Sequence, residues 1–413
     1  MDRRDFLRLA GGAALAPALG GLLPGLRLEH ALAESPGSRV SKKKPVRQVK
    51  LGFIALTDCA SLVMAKELGY FTERDLDVTL EKQASWPTTR DALLNGQIDG
   101  AHCLFSLPLS VASGIGGEAG NTSLKVAMVL NNNGQAITLS NDFQSAGYGN
   151  LRKARKLLEA KTPTMAMTFP GGTHDTWLRY WLKAAKVKSD AVQIIPIPPP
   201  QMVANMQAGT MDGFCVGEPW PAVAVDQSIG FTYIATQDIW TDHPEKALVV
   251  NEQFASEKAD TLKDVMAAVL KASRWLDDRA HRPKAATTLA PAEYVNAPAQ
   301  GIEGRLEGKY KLGSSLGTKT FRKDFMAFYR GGQVNPPRRA HARWFLAQYQ
   351  RLGLVDGAPN YELADAVLLR DLYEDVAAAE KIDVPDDDMA SFTVKLDQAT
   401  FDPQKPEEEA KRP

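Results

Sequence analysis

Cysteine is scarce in this 413-residue sequence: Cys59, Cys103 and Cys215 are the only three, and no Cys-x-x-Cys pair occurs. That excludes a disulfide framework, a zinc ribbon and dithiol redox work. Net charge is also absent, with 49 Lys plus Arg against 49 Asp plus Glu. A neutral total lacks the basic footprint of a general nucleic-acid binder, although it leaves room for a small basic pocket. Beyond the N-terminal segment no apolar run approaches the ~18 residues of a membrane span, so the mature chain is expected to be soluble. Catalytic signatures are missing as well: there is no P-loop, GxSxG, HExxH or strand-borne GxGxxG. Six histidines are widely spread, which disfavours a multi-histidine metal site. The sequence therefore reads as a non-enzyme, with no cofactor required.

What is present is a globular balance, 44% apolar and 24% charged, with length for two or three domains or one two-lobed body. The first 33 residues have the order of an export signal: Arg3-Arg4 with Phe6-Leu7, a Gly/Ala-rich apolar stretch from Ala10 to Leu26, then Ala31-Leu32-Ala33. The arginine pair predicts a twin-arginine signal and a periplasmic destination. No cysteine follows the apolar stretch, so no lipid anchor is expected. Residues 34–46 read as a flexible leader.

The chain contains one unit twice. Val49–Leu56, a helix ending at Gly69, Asp77–Leu80, a short helix and Ala101–Phe105 form the first copy. Thr164–Phe169, a helix through Lys183, Ala191–Ile195, a short helix and Phe214–Val216 form the second. The short helices end in matching phrases, Gly96-Gln-Ile-Asp-Gly100 and Gly209-Thr-Met-Asp-Gly213. Each copy is β-α-β-α-β, which demands parallel strands with helices on the faces. Two copies predict two α/β lobes whose strand-end loops face one cleft. Past residue 250, helix patterns cover 250–282, Phe321–Tyr329 and Ala340–Leu352, residues 297–320 read as Gly-rich and irregular, and the end of the chain from Phe401 reads as mobile.

Several residues at those strand ends suit an anion. Gly171-Gly172-Thr173 opens a helix, where free N–H groups and the helix dipole favour negative charge. Trp86, between Ser85 and Pro87, has a donor-only indole; by itself it is equally a core aromatic. Gln135 follows Asn131-Asn132-Asn133-Gly134, ordinarily a surface turn. Lys246, in His243-Pro-Glu-Lys, reads in isolation as a solvated loop lysine.

The phrases Val49-Lys-Leu-Gly-Phe-Ile-Ala-Leu-Thr-Asp58, Lys82-Gln-Ala-Ser-Trp-Pro-Thr-Thr-Arg-Asp91, Ile98-Asp-Gly-Ala-His102, Gly217-Glu-Pro-Trp220 and His243-Pro-Glu-Lys246 resemble the nitrate- and bicarbonate-binding proteins of ABC transporters, related to the sulfonate-binding type. The resemblance implies a periplasmic-binding-protein type II fold, α/β and two-lobed, each lobe a mostly parallel sheet flanked by helices. On that reading residues 47–140 begin lobe 1, 141–246 form lobe 2, 247–400 return to lobe 1 and add a helical extension, and 401–413 are a mobile tail. The family's anion contacts fall on Trp86, Gln135, His174 and Lys246, with Gly172 and Thr173 as backbone donors. The implied partners are a small oxyanion, nitrate or nitrite first, and a membrane permease with its ATPase; the receptor itself is expected to be a monomer. Bicarbonate is the first alternative, with calcium possible beside it and Asp58, Glu218 and Glu245 as available carboxylates. A sulfonate or other organic anion receptor, an anion sensor, and a pyrimidine-forming enzyme on the related fold are the remaining readings.

Overall fold

The strands β3 (Gly100–Leu104) and β8 (Gly213–Gly217) are buried along their whole length, as strands covered on both faces must be. They are the centres of two five-stranded sheets in a computed structural model that describes residues 45–413. The expected export signal and residues 34–44 of the expected leader lie outside the described residues.

Lobe 1 is built from β1 (Arg47–Phe53), β2 (Leu76–Lys82), β3, β4 (Leu124–Asn132) and β10 (Pro244–Asn251), in the order β2-β1-β3-β10-β4. Lobe 2 contains β5 (Gln135–Ser140), β6 (Thr164–Met167), β7 (Gln193–Pro196), β8 and β9 (Gly230–Ala235), in the order β7-β6-β8-β5-β9. The two orders are the same. In each sheet the repeated unit supplies three parallel strands, and a strand arriving by a crossover pairs antiparallel beside them: β10 with β3, and β5 with β8. The echoed Asp-Gly phrases do the same work in both lobes. Asp99 Oδ2 accepts the Lys50 N–H at 2.8 Å, and Asp212 Oδ2 accepts the Thr164 N–H at 2.9 Å.

The expected lobe boundaries shift by a strand. Gln135–Ser140 lies in the second sheet, not the first, and β10 begins at Pro244, before the expected return at 247. Periodicity identifies strands but not the sheet a crossover strand joins. The two crossovers lie side by side: Asn133 N–H donates to His243 O at 3.2 Å, and Asp242 N–H donates to Asn133 Oδ1 at 3.0 Å. The asparagine run, read as a surface turn, is thus a buried part of the hinge.

Three expectations for the C-terminal region are corrected. Residues 297–320 hold a helix, Ala299–Leu306, and a hairpin, Lys309–Lys311 with Thr318–Thr320. Phe321–Tyr329 is not helical; its apolar residues Met326 and Phe328 are anchored in the core as irregular chain. Residues 401–413 are packed rather than mobile: Phe401 is buried, Pro406–Ala410 is helical, and Glu409 Oε1 accepts from Gln348 Nε2 at 2.7 Å. The helix Arg339–Arg351 follows its pattern closely and lays Trp344 and Phe345 against Trp177, at 5.5 and 5.7 Å between ring centroids.

Candidate functional site

Strand ends and helix starts bring the polar residues of both lobes to one place. From lobe 1, the turn Thr57–Cys59 beyond β1 carries Asp58, the helix Trp86–Leu94 begins with Trp86, and β3 carries His102. Ser85 caps that helix by accepting the Thr88 N–H at 3.2 Å, and Pro87 fits its first turn. From lobe 2, β5 begins with Gln135, and the helix Thr173–Ala184 starts at Thr173, His174 and, one turn on, Trp177. Glu245 and Lys246 are neighbours on β10, and neighbours on a strand ordinarily point to opposite faces. Irregular register against β4 on both sides of Lys246 relaxes that rule. Both side chains consequently reach the cleft and bond to each other.

Lys246 Nζ donates to Asp58 Oδ2 at 2.8 Å and to Glu245 Oε1 at 2.9 Å. His102 Nε2 lies 2.7 Å from Asp58 Oδ1. Glu245 also accepts from Thr173 Oγ1 at 2.6 Å and from Trp177 Nε1 at 3.2 Å. All these residues are fully buried. Burial opposes ionisation of Asp58, but the Lys246 ammonium and the His102 contact outweigh it and hold its carboxyl at about 2. Burial wins at Glu245, whose carboxyl is raised even beside Lys246. Burial also works against the Lys246 charge, and the two carboxylates more than restore it. His102, His174 and His243 are lowered by burial, His243 to about 3.

Around this ion cluster sit buried polar atoms with no partner: Trp86 Nε1, both amide atoms of Gln135, His174 Nε2 and His102 Nδ1. Unmade hydrogen bonds in a dry interior cost about 1–3 kcal/mol each, so such a group marks a place for a ligand. The His174 Nδ1 is 2.5 Å from Thr168 Oγ1. When that hydroxyl donates, the ring proton sits on Nε2 and faces the cleft as a donor.

The structure thus gathers Trp86, Gln135, His174 and Lys246 at one cleft, with the Thr173 hydroxyl beside them. Gly172 differs from expectation: its N–H already donates to Phe169 O at 2.9 Å, so it is no free donor. A Cβ there would lie 2.7 Å from Leu104 Cδ1 of the opposite lobe, so its role is close approach. Lys246 differs too. It is a buried strand residue held by two carboxylates, not a loop lysine, because the crossover strand enters the middle of lobe 1. His102 and Trp177 were missed as site residues. His102 ends the Ile98-Asp-Gly-Ala-His102 stretch that carries the family resemblance, whereas nothing in the sequence singled out Trp177. Of the carboxylates considered for calcium, Asp58 and Glu245 are bound to Lys246, and Glu218 faces Arg305 Nε at 3.2 Å. Among the described residues no group of His, Cys, Asp and Glu is placed to hold a metal ion. The donor set does not fit calcium.

Two lobes of identical strand order, joined by paired crossovers and closed over a buried polar cluster, define a periplasmic-binding-protein fold. Residues 42–290 match the NMT1-like family, and the chain belongs to it. It is 35% identical to the nitrate/nitrite binding protein NrtA of Synechocystis, over 98% of this chain and 95% of that protein. The crystal structure of the periplasmic nitrate-binding protein NrtA from Synechocystis superposes with a TM-score of 0.83 at 34% identity, covering 88% of this chain and 98% of that one. The bicarbonate-binding protein CmpA of Synechococcus elongatus is 27% identical over 97% of this chain and 94% of its own length. The nitrate import ATP-binding protein NrtC of Synechocystis is 38% identical over 78% of this chain and 49% of its own length. Among the described residues no helix is long and apolar enough to cross a membrane.

Proposed function

We propose that this chain is the solute-binding component of an ABC importer, capturing nitrate, with nitrite as a second ligand, between its two lobes. The observation that carries the reading is the set of orphaned buried donors, Trp86 Nε1, Gln135 Nε2 and His174 Nε2, beside the Lys246 ammonium. Nitrate offers only acceptors and completes such a set. Three or four charge-assisted hydrogen bonds, at about 1.5–3 kcal/mol each, less the cost of closure, reach the roughly −8 kcal/mol of a micromolar receptor. The likeness to NrtA over nearly the whole chain supports the ligand, and the likeness to NrtC supports an ATPase as partner; a permease is part of the same proposal. No bond need be activated in this cluster, which favours binding over catalysis. We also assign the N-terminal segment to twin-arginine export, and the working state to a periplasmic monomer. Calorimetric titration of the mature chain with nitrate, nitrite, and bicarbonate with and without calcium tests the reading. Nitrate is expected to bind one per chain. Binding of bicarbonate alone would overturn the assignment of the ligand.

A further inference from the structure

We propose that Asp58 and Glu245 are specificity-determining residues that restrict the closed cleft to singly charged anions. The inference rests on the anion-receptor reading above and adds the property that selects among anions.

Its basis is the charge count at the Lys246 ammonium. Lys246 Nζ lies 2.8 Å from Asp58 Oδ2 and 2.9 Å from Glu245 Oε1, with all three residues fully buried. With both carboxylates ionised, two negative charges face one ammonium, a net charge of −1 before any ligand enters, and the histidines around them are lowered by burial. The groups that face Glu245 are Lys246 and His243 from its own strand region, Asp58 from the turn after β1, and Thr173, His174 and Trp177 from the lobe 2 helix. The Cys215 thiol of β8 lies within its field and is held neutral. Lys246 is therefore the only permanent cation among them. The other nearby buried cation, Arg305, is engaged with Glu218 at 3.2 Å.

A monoanion brings the cluster to −2. One proton restores the starting charge, and two groups are placed to take it: the His174 imidazole, at Nδ1 with the Thr168 hydroxyl turned to accept while Nε2 donates to the anion, and Glu245. A dianion brings the cluster to −3, so the same single proton still leaves it one charge more negative than it began, and among the described residues no second cation faces Glu245. In a site without water each surplus charge is felt strongly, so a doubly charged oxyanion is refused although the same donors suit its oxygens. A bare Lys246 would do the opposite and favour the higher charge. The carboxylates thus convert a cation that attracts any anion into one that discriminates by valence.

Nitrate and sulfate serve as probes in titrations of the unmodified protein, Asp58→Asn and Glu245→Gln at pH 7.5, each checked by a thermal melt. Asn at position 58 keeps the shape, accepts from Lys246 through its oxygen and reaches His102 through its amide. The unmodified protein is expected to bind nitrate and to bind sulfate at least about a hundredfold more weakly. Asp58→Asn is expected to raise the ratio of sulfate to nitrate affinity at least about tenfold. A merely structural role would lower both affinities and leave that ratio unmoved. An unchanged ratio in a folded variant overturns the proposal. Glu245→Gln carries the same comparison if Asp58→Asn does not fold. Comparable binding of sulfate and nitrate by the unmodified protein overturns it without any variant. Failure of the unmodified protein to bind nitrate, nitrite or bicarbonate is a different result, and it sinks the receptor reading beneath.

Discussion

In the proposed function Lys246 serves the fold and the ligand at once, and one substitution reads both roles. Lys246→Gln leaves Asp58 and Glu245 buried without their ammonium, and breaking a buried ion cluster costs about 3–5 kcal/mol of stability. The same change removes a charge-assisted contact of about 1.5–3 kcal/mol from the anion. Both losses are expected, in a thermal melt and a nitrate titration of the same sample. A variant as stable as the original would contradict the ion cluster. Trp86 should behave differently. Its indole N–H has no partner in the protein, so Trp86→Phe removes a ligand contact while keeping most of the ring. Nitrate affinity should drop about tenfold with little change in melting temperature; an unaltered affinity would return Trp86 to the core. His174 sets the pH response. Burial holds its imidazole neutral before binding, and a bound anion favours the protonated ring. Nitrate affinity is therefore expected to fall as pH rises, over a window that opens below the usual imidazole range, and His174→Ala to flatten that slope. A slope that persists in His174→Ala would assign the proton elsewhere, with Glu245 next in line.

At the scale of elements, the helix Arg339–Arg351 closes the cleft from outside. Tyr349 Oη lies 3.0 Å from Ser106 O in lobe 1 and 2.8 Å from Gly171 O in lobe 2, and Ser106 Oγ donates to the same Gly171 oxygen at 3.1 Å. Tyr349→Phe deletes one such bond, worth about 0.5–1.5 kcal/mol, so a roughly two- to tenfold loss of nitrate affinity is expected, carried by faster release. Stopped-flow release rates check this; an unchanged rate would mean the clasp plays no part in closure. The sequence announced this helix by its period but not its partner. The repeated β-α-β-α-β units were legible because each copy carries its own strand pattern and its own Asp-Gly turn, and Asp99 and Asp212 prove to make the same bond. Crossover strands were not. Gln135–Ser140 and Pro244–Asn251 look like any apolar strands, and their sheets are fixed by pairings with β8 and β3 that no local pattern encodes. The site was legible to the same extent. Trp86, Gln135 and His174 stand at strand ends or helix starts and could be located. The Asp58–Lys246 bond joins residues 188 apart, and nothing local distinguished a solvated lysine from one bound by two carboxylates.

The whole molecule holds more buried titratable groups than its neutral charge suggests. His102, His174, His243 and His341 are all lowered by burial, so the unfolded chain takes up protons near 6.5 that the folded chain refuses. Their contribution to stability is present above that pH and lost as pH falls. Glu218, raised by burial to about 7, and the raised Glu245 and Asp175 act in the opposite sense, favouring the folded state as they are protonated. The expected balance follows the four histidines, which take up protons on unfolding already near 6.5. The ligand-free protein should melt at a lower temperature at pH 5 than at pH 7.5, and an equal or higher value at pH 5 would contradict neutral histidines in the closed cleft. The central claim is that one oxyanion completes the buried donors between the lobes. Crystals of the mature protein grown with nitrate test it most directly. The account predicts a nitrate whose oxygens lie within about 3.2 Å of Trp86 Nε1, Gln135 Nε2 and His174 Nε2, beside Lys246; an empty cleft, with nitrate only at the outer surface, would contradict it.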